Sequence, residues 1–248
     1  MLITYEAQLV KKEALTHDVY LFSFTFPTEP GWDFKAGQYM IFHIPQADGH
    51  AARRLYSIAS SPHQKNTLDF IIEILPNGIG SQHLVNMNIG DSQTLQGPAG
   101  LFFYKPTDRD AICLATGTGV APIYSMLETH LAEFPEKQFS LFWGLKYSQD
   151  AYYLPELKAL VDQHPNFHLS LCLSQEAQIT ETMKEMAVYC MSGRVTVGFE
   201  ALLKLKTTQP QAYDYYVCGG KNVIDSLKTY LEEKQVPKEQ VHFEKFTT

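Results

Sequence analysis

The sequence is short of cysteine, of positive charge and of long apolar runs. Its four cysteines, Cys113, Cys172, Cys190 and Cys218, contain no Cys-x-x-Cys pair, so neither a zinc site nor an iron–sulfur cluster is signalled and no metal is expected. They read as reduced thiols, which points to a cytoplasmic setting. The formal net charge is -7, which argues against nucleic acid as a partner. No run approaches the roughly 18 apolar residues that suggest a membrane span. Met1–Val10 carries charge and alternates, so no signal peptide is expected. The nine histidines are scattered along the chain. Repeats and low-complexity segments are also missing. What is present is 248 residues, 45% hydrophobic and 19% charged, enough for one large domain or two ordinary ones with sizeable cores.

The chain is organised around Cys113-Leu-Ala-Thr-Gly-Thr-Gly-Val-Ala-Pro122. Ala111–Ala115 ahead of it reads as a buried parallel strand. Gly117-Thr118-Gly119 reads as a turn, and Pro122 as the opening of an amphipathic helix, where a missing N–H costs nothing. Glycine lets a backbone approach a ligand closely, and a helix N-terminus suits a pyrophosphate. The third glycine of the dinucleotide fingerprint is absent, with Ala121-Pro122 in its place, and a tight turn alone also explains two glycines.

Residues 1–104 read as an antiparallel barrel or sandwich of short strands. The candidate strands are Tyr5–Val10, Val19–Phe24, Gln38–Ile44 and Leu68–Leu75, punctuated at Pro30-Gly31, Pro45, Pro62, Pro76-Asn77-Gly78 and Gly97-Pro98. A helix is expected only near Ser81–Met87. In Arg53–Ser60, Arg54 and Tyr56 share one face of an extended strand. Arg54 could grip phosphate through two parallel hydrogen bonds, Tyr56 could stack on a flat ring, and Ser57 points the other way. An ordinary exposed strand fits the same residues. In Gly78–Leu84, Gly80-Ser81 reads as a turn and N-cap, again an anion site or a plain capped helix.

Lys105–Asp110 is a polar linker and the expected boundary. From residue 110 to 248, strands alternate with helices. The strands are Ala111–Ala115, Phe139–Trp143, His168–Leu173, Tyr215–Cys218 and Val241–Phe246; the helices are Pro122–Phe134, Leu154–His164, Phe199–Lys206 and Val223–Gln235. This alternation implies an α/β domain with a parallel sheet, whose ligands bind beyond the C-terminal strand ends. Gly117–Gly119, Gly144–Lys146, Ser174–Glu176 and Cys218–Gly220 all fall there.

Taken together these motifs resemble the ferredoxin–NADP+ reductase family of flavoproteins, over essentially the whole chain. Arg54-Leu55-Tyr56-Ser57 resembles its flavin motif Arg-x-Tyr-Ser, and Phe34–Tyr39 its Phe-x-x-Gly-Gln-Tyr strand. Gly78–Leu84 resembles the segment that holds the flavin pyrophosphate, and Gly90-Asp91 with Gly97–Gly100 the end of its barrel. Thr116–Pro122 is similar to its nicotinamide-nucleotide loop, and Val217–Gly220 to its Cys-Gly motif. The resemblance implies FAD on a barrel of residues 1–104 and NADH or NADPH on residues 110–248, meeting at a domain interface, with hydride passing from nicotinamide to flavin and electrons leaving to a separate acceptor such as a ferredoxin, a flavodoxin or an oxygenase component. It implies cofactor contacts at Arg54, Leu55, Tyr56, Ser57, Ile72, Ile74, Gly78, Gly80, Ser81, Gly117, Thr118, Gly119, Lys146, Ser174, Gln175, Arg194, Cys218, Gly219 and Phe246. Ser57, Cys218 and Glu244 are the implied catalytic residues. An electron-transfer subunit of a larger complex, with little activity alone, or a free-flavin reductase, fits the same motifs.

Three departures from the family sharpen the expectation. No cysteine set could ligate an iron–sulfur cluster, unlike many relatives. Plant-type members end in an aromatic that stacks on the flavin, whereas Thr247-Thr248 follow Phe246 here. NADPH users commonly carry Ser-Arg where this chain has Ser174-Gln175-Glu176. The missing guanidinium and the extra carboxylate favour NADH, with Lys146 and Arg194 as remaining cations. Residues 1–109 carry 8 Lys+Arg against 10 Asp+Glu, and the rest 12 against 17, so neither half is the basic surface that acidic ferredoxins need. Only a patch around Arg53 and Lys35 could serve.

Overall fold

The computed structural model describes residues 2–27, 33–176 and 186–246; the Pro30-Gly31 turn and Thr247-Thr248 lie outside them. The chain forms two compact units, Met1–Tyr104 and Lys105–Thr247, with the stretch Tyr124–Thr129 grouped with the first.

The first unit is an antiparallel six-stranded sheet. Its strands are β1 (Ile3–Ala14), β2 (Val19–Thr25), β3 (Tyr39–Pro45), β4 (Ala51–Ser57), β5 (Thr67–Glu73) and β6 (Ser92–Ala99), in the order β4-β3-β6-β1-β2-β5. The sheet curls until its edge strands β4 and β5 approach one another. Alternation along β3 sends Met40, Phe42 and Ile44 inward, as a half-buried strand requires. Phe24, Phe42 and Phe70 meet edge to face at 4.9–6.1 Å, each contact adding about 0.5–1.5 kcal/mol to simple burial. The single helix of this unit among the described residues, α1 (Ile79–Asn86), follows β5. It starts two residues earlier than the sequence suggests, and Gly78, not Ser81, is its N-cap residue.

The second unit is a parallel sheet of β7 (Asp110–Thr116), β8 (Phe139–Leu145), β9 (Phe167–Leu173), β10 (Cys190–Ser192), β11 (Tyr213–Gly220) and β12 (Val241–Phe246), ordered β10-β9-β8-β7-β11-β12. Ala111–Ala115 is buried on both faces, the signature of a central parallel strand. Among the described residues four helices connect the strands: α2 (Val120–His130), α3 (Leu154–Gln163), α4 (Val195–Lys206) and α5 (Lys221–Glu233). Buried Ile224, Leu227 and Leu231 give α5 its core face, at the spacing of an amphipathic helix. α2 ends at His130 rather than Phe134, and its helical backbone begins at Val120 directly after a 3-10 turn over Gly117–Gly119. Pro122 therefore sits inside the helix, three residues past the 3-10 turn, rather than opening it.

Two strands escape the sequence pattern. β6 carries Gln93 and Gly97 at inward positions, which hides its alternation. Gln93 is nonetheless satisfied, donating to the carbonyls of His43 and Thr94 and meeting His83 at 2.9 Å. β10 is only three residues long.

Candidate functional sites in the two units

In the first unit, β4 is an edge strand paired antiparallel with β3, Tyr39 opposite Ser57, Met40 opposite Tyr56 and Phe42 opposite Arg54. Tyr56 packs edge-on against Phe42 at 5.0 Å. Burial pushes its phenol up to about 12, with Arg54 pulling partly back, so the hydroxyl stays protonated at neutral pH. Ser57 is buried, whereas Arg54 is exposed and donates to the Arg53 carbonyl at 2.8 Å. The start of α1 lies directly on this face. A Cβ at Gly80 would stand 2.5 Å from the Tyr56 hydroxyl and 2.7 Å from Arg54 Cγ, so only glycine allows the helix this close. The Arg54–Ser57 and Gly78–Ser81 motifs thus form one surface. It presents a guanidinium, a half-buried ring and the positive end of a helix, a donor set that fits a flavin phosphate.

Ser81 contributes differently from expectation. It is buried inside α1, where its Oγ accepts from the Leu75 N–H at 3.0 Å and lies 3.2 Å from the Gly78 carbonyl. It holds the turn into α1 rather than capping the helix. Ile72 points into the core, with Ile74 half-buried against it. Leu55 is 54% exposed, on the face of β4 opposite Arg54 and Tyr56. Gln38, named from sequence only as part of the Phe34–Tyr39 strand motif, ties three motifs together. Its carbonyl accepts from Ile58, its amide donates to the Gly100 carbonyl at 3.1 Å, and its Oε1 accepts from Lys35 N–H. Beside α1 a groove of about 490 Å3 is lined by Ile44, Pro45, Gln46, Ile79, Gln82 and His83, among others.

In the second unit β7 and β11 are neighbours whose chain continuations leave in opposite directions across the sheet. That is the topological switch point, where open α/β sheets bind their ligands. Gly117–Gly119 follows β7, and Cys218–Gly219 lies at the end of β11, with Cys218 in register with Ala115. A Cβ at Gly119 would stand 2.3 Å from the Cys218 carbonyl oxygen, and one at Gly219 2.2 Å from Thr116 Oγ1. Gly219 also has φ +154. The two glycine segments interlock, Gly119 against the Cys218 backbone and Gly219 against Thr116. Gly117, at φ +51, faces open space, and Thr118 is half-buried beside it. Cys218 is completely buried, and burial raises its thiol well above the ordinary range, with Glu244 adding to the shift, so it is held as a neutral thiol. Glu244 lies opposite Cys218 in the β11–β12 register and Phe246 opposite Gly220; both are half-buried.

The loops after β8 and β9 are joined. Gln175 N–H donates to the Lys146 carbonyl at 2.9 Å and Ser174 Oγ to the Leu145 carbonyl at 3.1 Å. Glu176 accepts the backbone N–H of Ser148, which fixes its carboxylate beside the Lys146 loop. Lys146 and Arg194 are exposed, and Arg194 is the N-cap residue of α4. Sequence reasoning missed Trp143, a fully buried side chain whose Nε1 donates to the Gly117 carbonyl at 2.9 Å. A buried indole N–H needs a partner, and that signal could have found it.

Among known proteins, residues 6–104 match the family described as the oxidoreductase FAD-binding domain, and residues 113–229 match the oxidoreductase NAD-binding domain. The reductase component of propane 2-monooxygenase from Mycolicibacterium goodii is 31% identical over 226 residues, which cover 90% of this chain and 62% of that one. The chain thus spans about three fifths of that relative's length. Ferredoxin–NADP reductase B from Sorangium cellulosum is 26% identical and is covered over 97% of its length. A crystal structure of the Amycolatopsis cytochrome P450 reductase GcoB shares the fold with a TM-score of 0.85, at 23% identity over the whole chain and 71% of that structure.

Proposed function

Because the chain belongs to the ferredoxin–NADP+ reductase-like family of flavin-dependent oxidoreductases, we propose that it takes hydride from NADH onto FAD and delivers the electrons to a separate acceptor protein. The observation that carries this reading is the contact of Gly80 with Arg54 and Tyr56. Two motifs separated in sequence are brought to one anion-binding, ring-binding surface. FAD, when bound, accepts two electrons together and releases them one at a time.

The chain's own residues supply binding and orientation. Arg54 and the N–H groups of the first turn of α1 hold the pyrophosphate, and the neutral Tyr56 ring lies beside the flavin. Ser57 offers a hydroxyl to it from the end of β4, and Leu55 and Ile72 bind through their backbone. Gln46, Gln82 and His83 in the neighbouring groove suit an adenosine half, which favours FAD over FMN. Thr118 and Gly119 present N–H groups to the nicotinamide nucleotide, and Cys218 and Gly219 floor that site as a neutral thiol and a side-chain-free backbone. With its proton retained, Cys218 acts by contact and not as a nucleophile.

NADH is the favoured nucleotide. A carboxylate beside the ribose accepts from a free 2′-hydroxyl and repels a 2′-phosphate, and Glu176 is held in place for this by Ser148. Lys146 and Arg194 leave NADPH a weaker substrate. We infer an oxygenase component or a ferredoxin as acceptor, the kinds of partner that the names of the relatives above carry. No helix among the described residues is long and apolar enough to cross a membrane, and the four free thiols suit the cytoplasm. The test is the visible spectrum of the purified protein with mass spectrometry of the released flavin. Equimolar FAD is expected. A protein that is colourless and takes up no added flavin overturns the proposal.

A further inference from the structure

We propose that Trp143 is a positioning residue for the nicotinamide nucleotide, aiming a backbone N–H at its phosphates from beneath the glycine turn. The inference rests on the reading that this turn binds the nucleotide. Trp143 lies near the C-terminal end of β8, opposite Ala115 of β7. It is fully buried, with Tyr152 edge-on at 4.9 Å. Its Nε1–H reaches past the end of β7 to the Gly117 carbonyl at 2.9 Å. That carbonyl also accepts the backbone N–H of Val120, so both of its lone pairs are used.

The consequence follows from peptide geometry. The Gly117 carbonyl and the Thr118 N–H belong to one planar trans unit and point in opposite directions. Gly117 stands at φ +51 with nothing near the place of a Cβ. Glycine at such a position has several backbone conformations open to it, and sterics alone do not hold this peptide plane. The indole does. By anchoring the carbonyl on the side of the buried ring, it turns the Thr118 N–H the other way, out of the protein. A first-turn N–H has no intrahelical acceptor and is free for a phosphate oxygen. Without the indole donor the Val120 N–H alone holds the plane, and the Thr118 N–H is less firmly aimed on each binding event.

Two replacements separate the donor from the ring. Trp143→Phe removes the N–H and part of the ring; β-(benzothien-3-yl)alanine at position 143 keeps the bicyclic shape and removes only the donor. ADP-ribose binding is measured by calorimetry, and flavin reduction by rapid mixing over a range of NADH. Loss of one hydrogen bond of ordinary strength predicts about fivefold weaker ADP-ribose binding and a KM for NADH raised by the same factor. The limiting reduction rate should stay within about twofold and the flavin content unchanged. In the parent, the Trp143 indole N–H resonance should shift when ADP-ribose is added. Unchanged affinity in the isosteric variant, or an unmoved indole resonance in a parent that binds ADP-ribose, overturns the inference. A parent that binds neither ADP-ribose nor NADH overturns the underlying reading instead.

Discussion

The two units build their sites from opposite materials. The β4–α1 surface of the first unit is made of side chains: a guanidinium, a phenol and a hydroxyl standing on an edge strand. The β7–β11 surface of the second is made mostly of backbone, brought together where side chains are missing at Gly119 and Gly219. The first site is therefore weakened by taking atoms away. The second is weakened by adding them.

Adding an atom should give the largest effect. In Gly119→Ala the new methyl would fall 2.3 Å from the Cys218 carbonyl, so backbone must move. Such overpacking costs roughly 1–3 kcal/mol or more, and it falls on the loop proposed to meet the nucleotide. Flavin reduction by NADH should drop about a hundredfold in kcat/KM, while FAD content stays at the parent level. Rapid-mixing kinetics and the visible spectrum read the two separately; equal loss of both would erase the contrast between the units.

Arg54→Ala is the complementary deletion. A hydrogen bond to a charged group is worth about 1.5–3 kcal/mol, so FAD affinity should fall about ten- to a hundredfold by fluorescence titration of the apoprotein. Affinity for ADP-ribose should not change. Next comes Gln175→Arg, which restores a guanidinium near Lys146. It should raise the ratio of kcat/KM for NADPH to that for NADH about tenfold. A parent that already prefers NADPH by that factor would refute the assignment to Glu176.

The smallest effect is a pH dependence. Tyr56 has its pKa raised by burial from 10.0 to about 12, so the folded state binds its proton more tightly than the unfolded chain does. The stability this carries is fully present below pH 10 and is lost as pH rises through about 12. Tyr56→Phe should remove one tyrosinate step near pH 12 from the ultraviolet titration and flatten the fall in stability above pH 10. A Tyr56 that titrates at its ordinary value would mean an open ring.

These contrasts also explain what is legible in the sequence. Glycine turns and the Arg54–Ser57 strand are local patterns, and their chemistry is visible in the residues themselves. The flavin is not; it enters only through the order of six motifs. Ser81 reads wrongly as a cap because a hydroxyl near a helix start fits an N-cap and an internal turn equally well, and only the partners at Leu75 and Gly78 decide. β6 stays hidden because Gln93 and Gly97 occupy inward positions, where an apolar pattern is sought. Trp143 and Gln38 act through partners 26 and 62 positions away. No local spacing encodes such contacts.

The most direct test of the central claim is anaerobic titration of the purified protein with NADH, followed by its flavin absorbance. The account predicts that the flavin band bleaches with an equimolar amount of NADH, and that the reduced protein then passes its electrons to an added one-electron acceptor. A bound flavin that excess NADH and NADPH both leave oxidised would contradict it.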